Sequence, residues 1–159
     1  MTTSCFQVTV PPGILAVTLS GELITAVDLP ARARKQLPGP TRPLEKRLAA
    51  GLKAYFVDAA APLDWPLQFE GTDFQQRVWR ALRAIPAGTV KTYGQLAAEI
   101  GGCAQAVGNA CRQNPIPLYI PCHRVVARQG IGGFAGKTAG QSIRLKRWLL
   151  LHEGVALRA

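Results

Sequence analysis

The chain has 159 residues, 48% of them apolar, which suits one good-sized domain or two small ones around packed cores and argues against global disorder. No uninterrupted apolar run approaches the roughly 20 residues that cross a bilayer, and Met1-Thr2-Thr3-Ser4-Cys5 lacks the basic and apolar regions of a secretion signal. A soluble, cytoplasmic protein is therefore expected, with no membrane partner. The formal net charge is +10, and residues 71–159 carry twelve basic against three acidic side chains while residues 1–70 carry seven against six. That asymmetry favours a polyanionic partner for the second half, because each phosphate neutralised releases counterions, although charge alone suits a solvated basic surface equally well.

In chain order, Phe6 to Val10, Ile14 to Leu19 and Leu23 to Leu29 are short β-branched runs, punctuated by Pro11-Pro12-Gly13 and Ser20-Gly21, and read as strands. Arg32 to Pro43 is a basic, proline-bearing loop. Leu44, Leu48, Leu52, Tyr55 and Phe56 then recur at helical spacing, and Ala59 to Pro66 reads as a linker. Residues 1–65 are thus expected to form a small α/β domain, and residues 66–159 a second, mostly helical one. In the latter, Thr72 with Gln75 and Thr92 with Gln95 are capping-box pairs that open two helices, stopped by Pro86 and by Gly101-Gly102. A third helix runs from about Cys103 to Arg112, so a tight glycine turn joins two short helices, as in a helix-turn-helix. Gln105, Asn109 and Arg112 share one face of it. A last helix carries Ile143, Trp148, Leu149 and Leu150 and ends near Glu153-Gly154.

The four cysteines, Cys5, Cys103, Cys111 and Cys122, form no C-x-x-C pair, and the histidines are His123 and His152, so neither a structural metal nor a cofactor is expected. Cys122 beside His123 can carry chemistry. A thiol is mostly protonated at neutral pH, the thiolate is the nucleophile, and a nearby imidazole can take the proton. A carboxylate behind the imidazole would orient it, and Glu153 is the best placed. Neighbours in a strand face opposite ways, so the pair can cooperate only if Pro121 bends the chain. Cys5, Cys103 and Cys111 are expected to be packing residues, and Trp65, Trp79 and Trp148 core residues.

Asn114-Pro115-Ile116-Pro117 followed by Ile120-Pro121-Cys122-His123-Arg124-Val125-Val126 resembles the signature of the O6-alkylguanine-DNA alkyltransferases, the methylated-DNA–protein-cysteine methyltransferases. Gly71 to Trp79, Ile85-Pro86-Ala87-Gly88, Thr92 to Ala97 and Trp148 to Gly154 continue the likeness, and Leu52 to Phe56 extends it into the first domain. The resemblance implies a ribonuclease-H-like N-terminal unit and a C-terminal domain with a winged helix-turn-helix. It implies an irreversible, single-turnover transfer of an alkyl group from O6-alkylguanine in DNA to Cys122, and leaves open O4-alkylthymine as a further substrate. His123 would deprotonate the thiol through a water, Glu153 would orient His123, Asn114 would hold the turn that aims the loop, and Tyr93 would assist extrusion of the nucleotide. Gln105, Ala106, Asn109 and Arg112 would contact DNA, and Val125, Phe134 and Ala135 would line the pocket; for Arg124 two roles stay open, a DNA contact at a phosphate, which is slightly favoured, and support of the fold. The partner would be double-stranded DNA, entered through its minor groove with the target base flipped out by a monomer.

The chain departs from that family at Gln105, where an arginine usually fills the gap left by the flipped base. It departs also in a short turn at Gly101 to Ala104, in Phe134 for tyrosine, and in extra length at Lys137 to Gly140. Two rival readings remain, a cysteine hydrolase working through an acyl intermediate and a non-catalytic helix-turn-helix DNA-binding protein.

Overall fold

A computed structural model describes residues 2–30, 36–133 and 140–157. The chain divides into two compact units, residues 1–69 with 115–119, and residues 70–114 with 120–159. These run past the expected 65/66 boundary, and the segment Pro115–Tyr119 groups with the first unit, where the Pro115 carbonyl accepts a hydrogen bond from Val27 N–H at 3.1 Å.

In the first unit, β1 (Thr3–Val10), β2 (Gly13–Ser20) and β3 (Leu23–Asp28) form an antiparallel meander in the order β1-β2-β3, with a register shift at Thr18/Leu19. Alternation does the work in β1, where Phe6, Val8 and Val10 are buried and their neighbours less so. Leu15, Ala16, Val17 and Leu19 are all buried in the central strand. Helix α1 (Pro43–Val57) covers the sheet with Leu48, Leu52, Tyr55 and Phe56, each such side chain contributing about 1.5–3 kcal/mol by leaving water. Its start depends on a residue the sequence reading passed over. Glu45 is buried, and its Oε1 accepts hydrogen bonds from the N–H groups of Thr41 (3.0 Å) and Arg42 (3.1 Å). Burial pushes that carboxyl up, but these bonds outweigh it and bring the pKa down to about 2. Trp65, expected in the core, is half-exposed, with Arg47 lying over its ring.

The second unit contains α2 (Asp73–Arg83), α3 (Tyr93–Ile100), α4 (Ala104–Arg112) and α5 (Gln141–His152). Both expected capping boxes are present. Thr72 and Thr92 accept from the N–H groups of Gln75 and Gln95, whose side chains accept in return from the threonine N–H groups. Buried Val78, Trp79 and Leu82 make the inner face of α2, and Trp79 Nε1 donates to the Ala110 carbonyl at 2.9 Å, tying α2 to α4. Gly102, in the turn between α3 and α4, has φ +110°, and a Cβ there would lie 2.8 Å from the Phe74 ring. A two-residue parallel ladder, β4 (Lys91–Thr92) with β5 (Val125–Val126), had no signal in the sequence. It pins the start of α3 beside the chain that leaves Cys122. Trp148 is half-buried and stacks on His152, with ring centroids 4.9 Å apart, rather than sitting in the core. Among the described residues no helix is long and apolar enough to cross a membrane.

Candidate active site

Pro121 provides the required bend. It takes φ −80° and ψ 69°, and Cys122–Arg124 form a single 3-10 turn instead of continuing a strand. Arg124 N–H donates to the Pro121 carbonyl at 3.0 Å, and Cys122 N–H to the Ile120 carbonyl at 2.8 Å. Asn114, just past α4, donates from Nδ2 to that same Ile120 carbonyl at 2.8 Å and also hydrogen-bonds the Cys122 side chain. The turn is thus held from both sides at the residue before Pro121.

Cys122 is buried. Burial pushes its thiol up, against which the Asn114 hydrogen bond and the Lys146 charge act more weakly, so the resting sulfur is protonated and needs a base. His123 has no exposure, and its Nε2 lies 2.9 Å from Glu153 Oε2. An ionised carboxylate at Nε2 selects the tautomer protonated there, which leaves Nδ1 as the basic nitrogen; among the described residues Nδ1 has no hydrogen-bond partner. Burial pushes the His123 pKa down, Glu153 opposes this, and the Arg124 and Lys146 charges reinforce it, so the ring is neutral at neutral pH. A protonated thiol beside a neutral imidazole is the pairing that general-base activation requires.

Arg124 does not occupy the position expected of it. Its Nε and Nη2 donate to Glu153 Oε1 (2.9 Å) and Oε2 (2.8 Å), and Nη1 donates to the Ile85 carbonyl at 2.6 Å, beyond α2. A guanidinium with all three nitrogens engaged inside the protein has little left for a phosphate, which corrects the expected DNA contact.

The sequence reading missed Lys146. Fully buried, it donates from Nζ to the carbonyls of Val125 (2.7 Å) and Gly133 (2.8 Å) and lies over the Tyr93 ring, 5.8 Å from its centroid. Burial lowers its pKa to about 8, opposed by Cys122 and Cys111. A signal existed: Lys146 falls on the apolar stripe of α5 with Leu145, Leu149 and Leu150, where a surface lysine does not belong. Tyr93, the first residue of α3, donates its hydroxyl to the Gly133 carbonyl at 3.3 Å, and burial pushes its pKa up, with Cys111 and Cys122 adding to the rise. Val125 is buried, and its carbonyl already accepts from Lys146. Burial and the neighbouring Cys122 push up the Cys111 thiol.

On α4, Gln105, Asn109 and Arg112 are exposed on one face, and Ala106 is half-buried. Cys103, expected to pack, is exposed at the N-cap of α4. Phe134 and Ala135 lie outside the described residues. Among the described residues, no three His, Cys, Asp or Glu side chains converge as metal ligands.

Fold and site define a helical unit whose buried cysteine adjoins a buried histidine–carboxylate pair, coupled in sequence to a small sheet-and-helix unit. The family described as the 6-O-methylguanine DNA methyltransferase DNA-binding domain matches residues 73–155. The methylated-DNA–protein-cysteine methyltransferase of Salmonella typhimurium is 53% identical over 114 residues, a match covering 69% of this chain and 64%, under two thirds, of that protein. The corresponding protein of Cricetulus griseus is 38% identical over 153 residues, covering 88% of this chain and 71% of its own. Among solved structures, the O6-methylguanine methyltransferase of Mycobacterium tuberculosis superposes with a TM-score of 0.80 at 33% identity, covering 99% of this chain and 97% of that one. The OGT protein of the same organism in complex with DNA gives 0.77 at 34% identity, covering 94% and 91%. This chain belongs to the 6-O-methylguanine DNA methyltransferase family.

Proposed function

We propose that this protein repairs DNA by direct reversal, taking the alkyl group of O6-alkylguanine onto Cys122 in one irreversible turnover. The observation that carries the reading is the buried Cys122–His123–Glu153 arrangement, a protonated thiol next to a neutral imidazole whose Nε2 is held 2.9 Å from an ion-paired carboxylate. His123 takes the thiol proton at Nδ1, directly or through a water. The sulfur displaces guanine oxygen at the alkyl carbon, the C–O bond breaks, and the base is restored with a proton returned to the ring. The thioether formed has no hydrolytic exit, so one molecule acts once, without a cofactor.

In this reading Tyr93 touches the extruded base, which its hydrogen bond to Gly133 supports, and Lys146 draws the Val125 and Gly133 carbonyls, the candidate pocket wall, into one frame. In this reading α3, the Gly102 turn and α4 are a helix-turn-helix of the winged kind. The protein binds duplex DNA as a monomer through the minor groove, with Gln105, Ala106, Asn109 and Arg112 nearest the flipped nucleotide. The complex with DNA of the Mycobacterium tuberculosis relative supports DNA as partner. The antiparallel meander and α1 support a ribonuclease-H-like N-terminal domain over 1–65, followed in sequence by a DNA-binding and alkyl-acceptor domain over 66–159. Four free cysteines suit the reducing cytoplasm.

The test is peptide mapping by mass spectrometry after incubation with an oligonucleotide bearing O6-methylguanine. One methyl mass on the Cys122 peptide is expected, absent in Cys122→Ala. Repeated turnover with no retained label would favour a cysteine hydrolase, and DNA binding with no methyl loss a non-catalytic DNA-binding protein.

A further inference from the structure

Arg124 makes contacts that no orienting role for Glu153 alone requires. Both carboxylate oxygens are gripped by its guanidinium, at 2.9 Å and 2.8 Å, while Oε2 is shared with His123 Nε2 at 2.9 Å. The remaining nitrogen is anchored on the Ile85 carbonyl at 2.6 Å, so the fork is fixed from outside the pair it serves. Glu153 itself sits at the C-cap of α5, where the helix end presents carbonyls and adds no compensating positive charge. We propose, resting on the alkyl-transfer reading above, that Arg124 is a positioning residue of the reaction: it holds Glu153 on His123 Nε2 and takes up part of the carboxylate's negative charge.

The physical consequence concerns the base. A carboxylate facing an imidazole stabilises the imidazolium and, working against the burial that favours the neutral ring, extends to higher pH the range in which Nδ1 is occupied and unable to accept from sulfur. A cation on the same carboxylate offsets that pull without disturbing the Nε2 hydrogen bond. The charged and titratable groups around His123 are Glu153, at the end of α5, Arg124 and Cys122 on its own turn, and Lys146 from the body of α5. The end of α2 contributes the neutral Ile85 carbonyl. Both cations act in the same direction, against Glu153. Removing the Arg124 charge leaves the His123–Glu153 pair to hold a proton up to higher pH, whichever partner carries it.

Two readouts on the whole protein test this. The first is the rate of a single methyl transfer from an O6-methylguanine duplex against pH for the wild type, Arg124→Gln and Arg124→Lys. The second is the imidazole nitrogen NMR titration of His123, separated from the other histidine by His152→Gln. In the wild type, His123 is expected to stay neutral below its ordinary value of about 6.5. Arg124→Gln should raise both the His123 pKa and the acid limb of the rate profile by about one pH unit or more. Arg124→Lys keeps the charge and loses the fork, so its acid limb stays near that of the wild type while the plateau rate falls roughly tenfold.

A lowered plateau in Arg124→Gln with the acid limb unmoved would make Arg124 a strut and overturn the proposal. So would a wild-type His123 titrating at or above 6.5, a result that needs no variant to fold. If Arg124→Gln does not fold, an Arg124→Lys profile unchanged in both limb and plateau overturns it equally. Failure of the wild type to transfer any methyl sinks the alkyl-transfer reading instead, and the NMR titration still decides this one.

Discussion

Lys146 carries a charge into a place with no solvent, and two backbone carbonyls are what it finds there. Lys146→Met would take its donor from the Val125 carbonyl and leave the Gly133 carbonyl only the longer bond from Tyr93. At about 1–3 kcal/mol for a buried unsatisfied group, a loss of about 1–3 kcal/mol is expected in urea unfolding at pH 7. The pH dependence has a definite sign. The folded amine titrates at about 8 and the unfolded one near 10.5, so between those values the unfolded chain holds more protons and the wild type gains stability as pH rises. The stability gap between wild type and Lys146→Met should therefore widen from pH 8 to 10.5; a constant gap would show that the amine is not buried in solution. Cys122 and His123 were legible as residues because only two histidines exist and one adjoins a cysteine inside a long motif. Their partners were not equally legible. Glu153 could be chosen because the helical unit offers few carboxylates, but the inward turn of Arg124 could not, since an arginine in a basic domain looks the same in sequence whether it faces phosphate or carboxylate.

At the scale of elements, the helices were readable because capping and burial are local. Thr72, Gln75, Thr92 and Gln95 announce two starts, and the apolar face of α2 has helical spacing. The turn at Gly102 is a harder constraint than its sequence suggests. Gly102→Ala meets both an unfavourable φ of +110° and the Phe74 ring at 2.8 Å. A cost of about 1–3 kcal/mol is expected, taken up by a change in the angle between α3 and α4. Transfer from the free O6-methylguanine base should survive in this variant while transfer from a duplex falls. Equal loss on both substrates would mean that the turn serves stability alone. On the exposed face of α4, Gln105 is shorter than arginine and uncharged, so under the proposed base-flipping mode it would fill a vacated stack poorly. Gln105→Arg is expected to increase the preference for duplex over single-stranded substrate, and an unaltered ratio of the two rates refutes that account. The β4–β5 ladder escaped the sequence because two residues carry no periodicity; a parallel contact between Lys91-Thr92 and Val125-Val126 exists only once the chain has folded back.

Over the whole molecule, the surplus of positive charge in residues 71–159 is smaller at the surface than the count of twelve against three suggests. Buried Lys146 takes one positive charge out of it, whereas the Arg124–Glu153 pair removes one charge of each sign and leaves it unchanged. What remains, with Arg112 exposed on α4, still favours a polyanion. Duplex affinity should fall steeply with salt, and Arg112→Ala should lessen the slope of log K against log salt concentration by about 0.9 if that side chain neutralises one phosphate. An identical slope would remove Arg112 from the interface. The periodicity of apolar residues and the capping pairs were enough by themselves to determine β1 to β3 and the helices, and the Ile120-to-Val126 string to nominate Cys122, because each depends on neighbours along the chain. Only tertiary structure decided the protonation states and the internal partners of Arg124 and Lys146. Those depend on desolvation and on charges brought together from turns and helices far apart in sequence, and no local pattern encodes that distance.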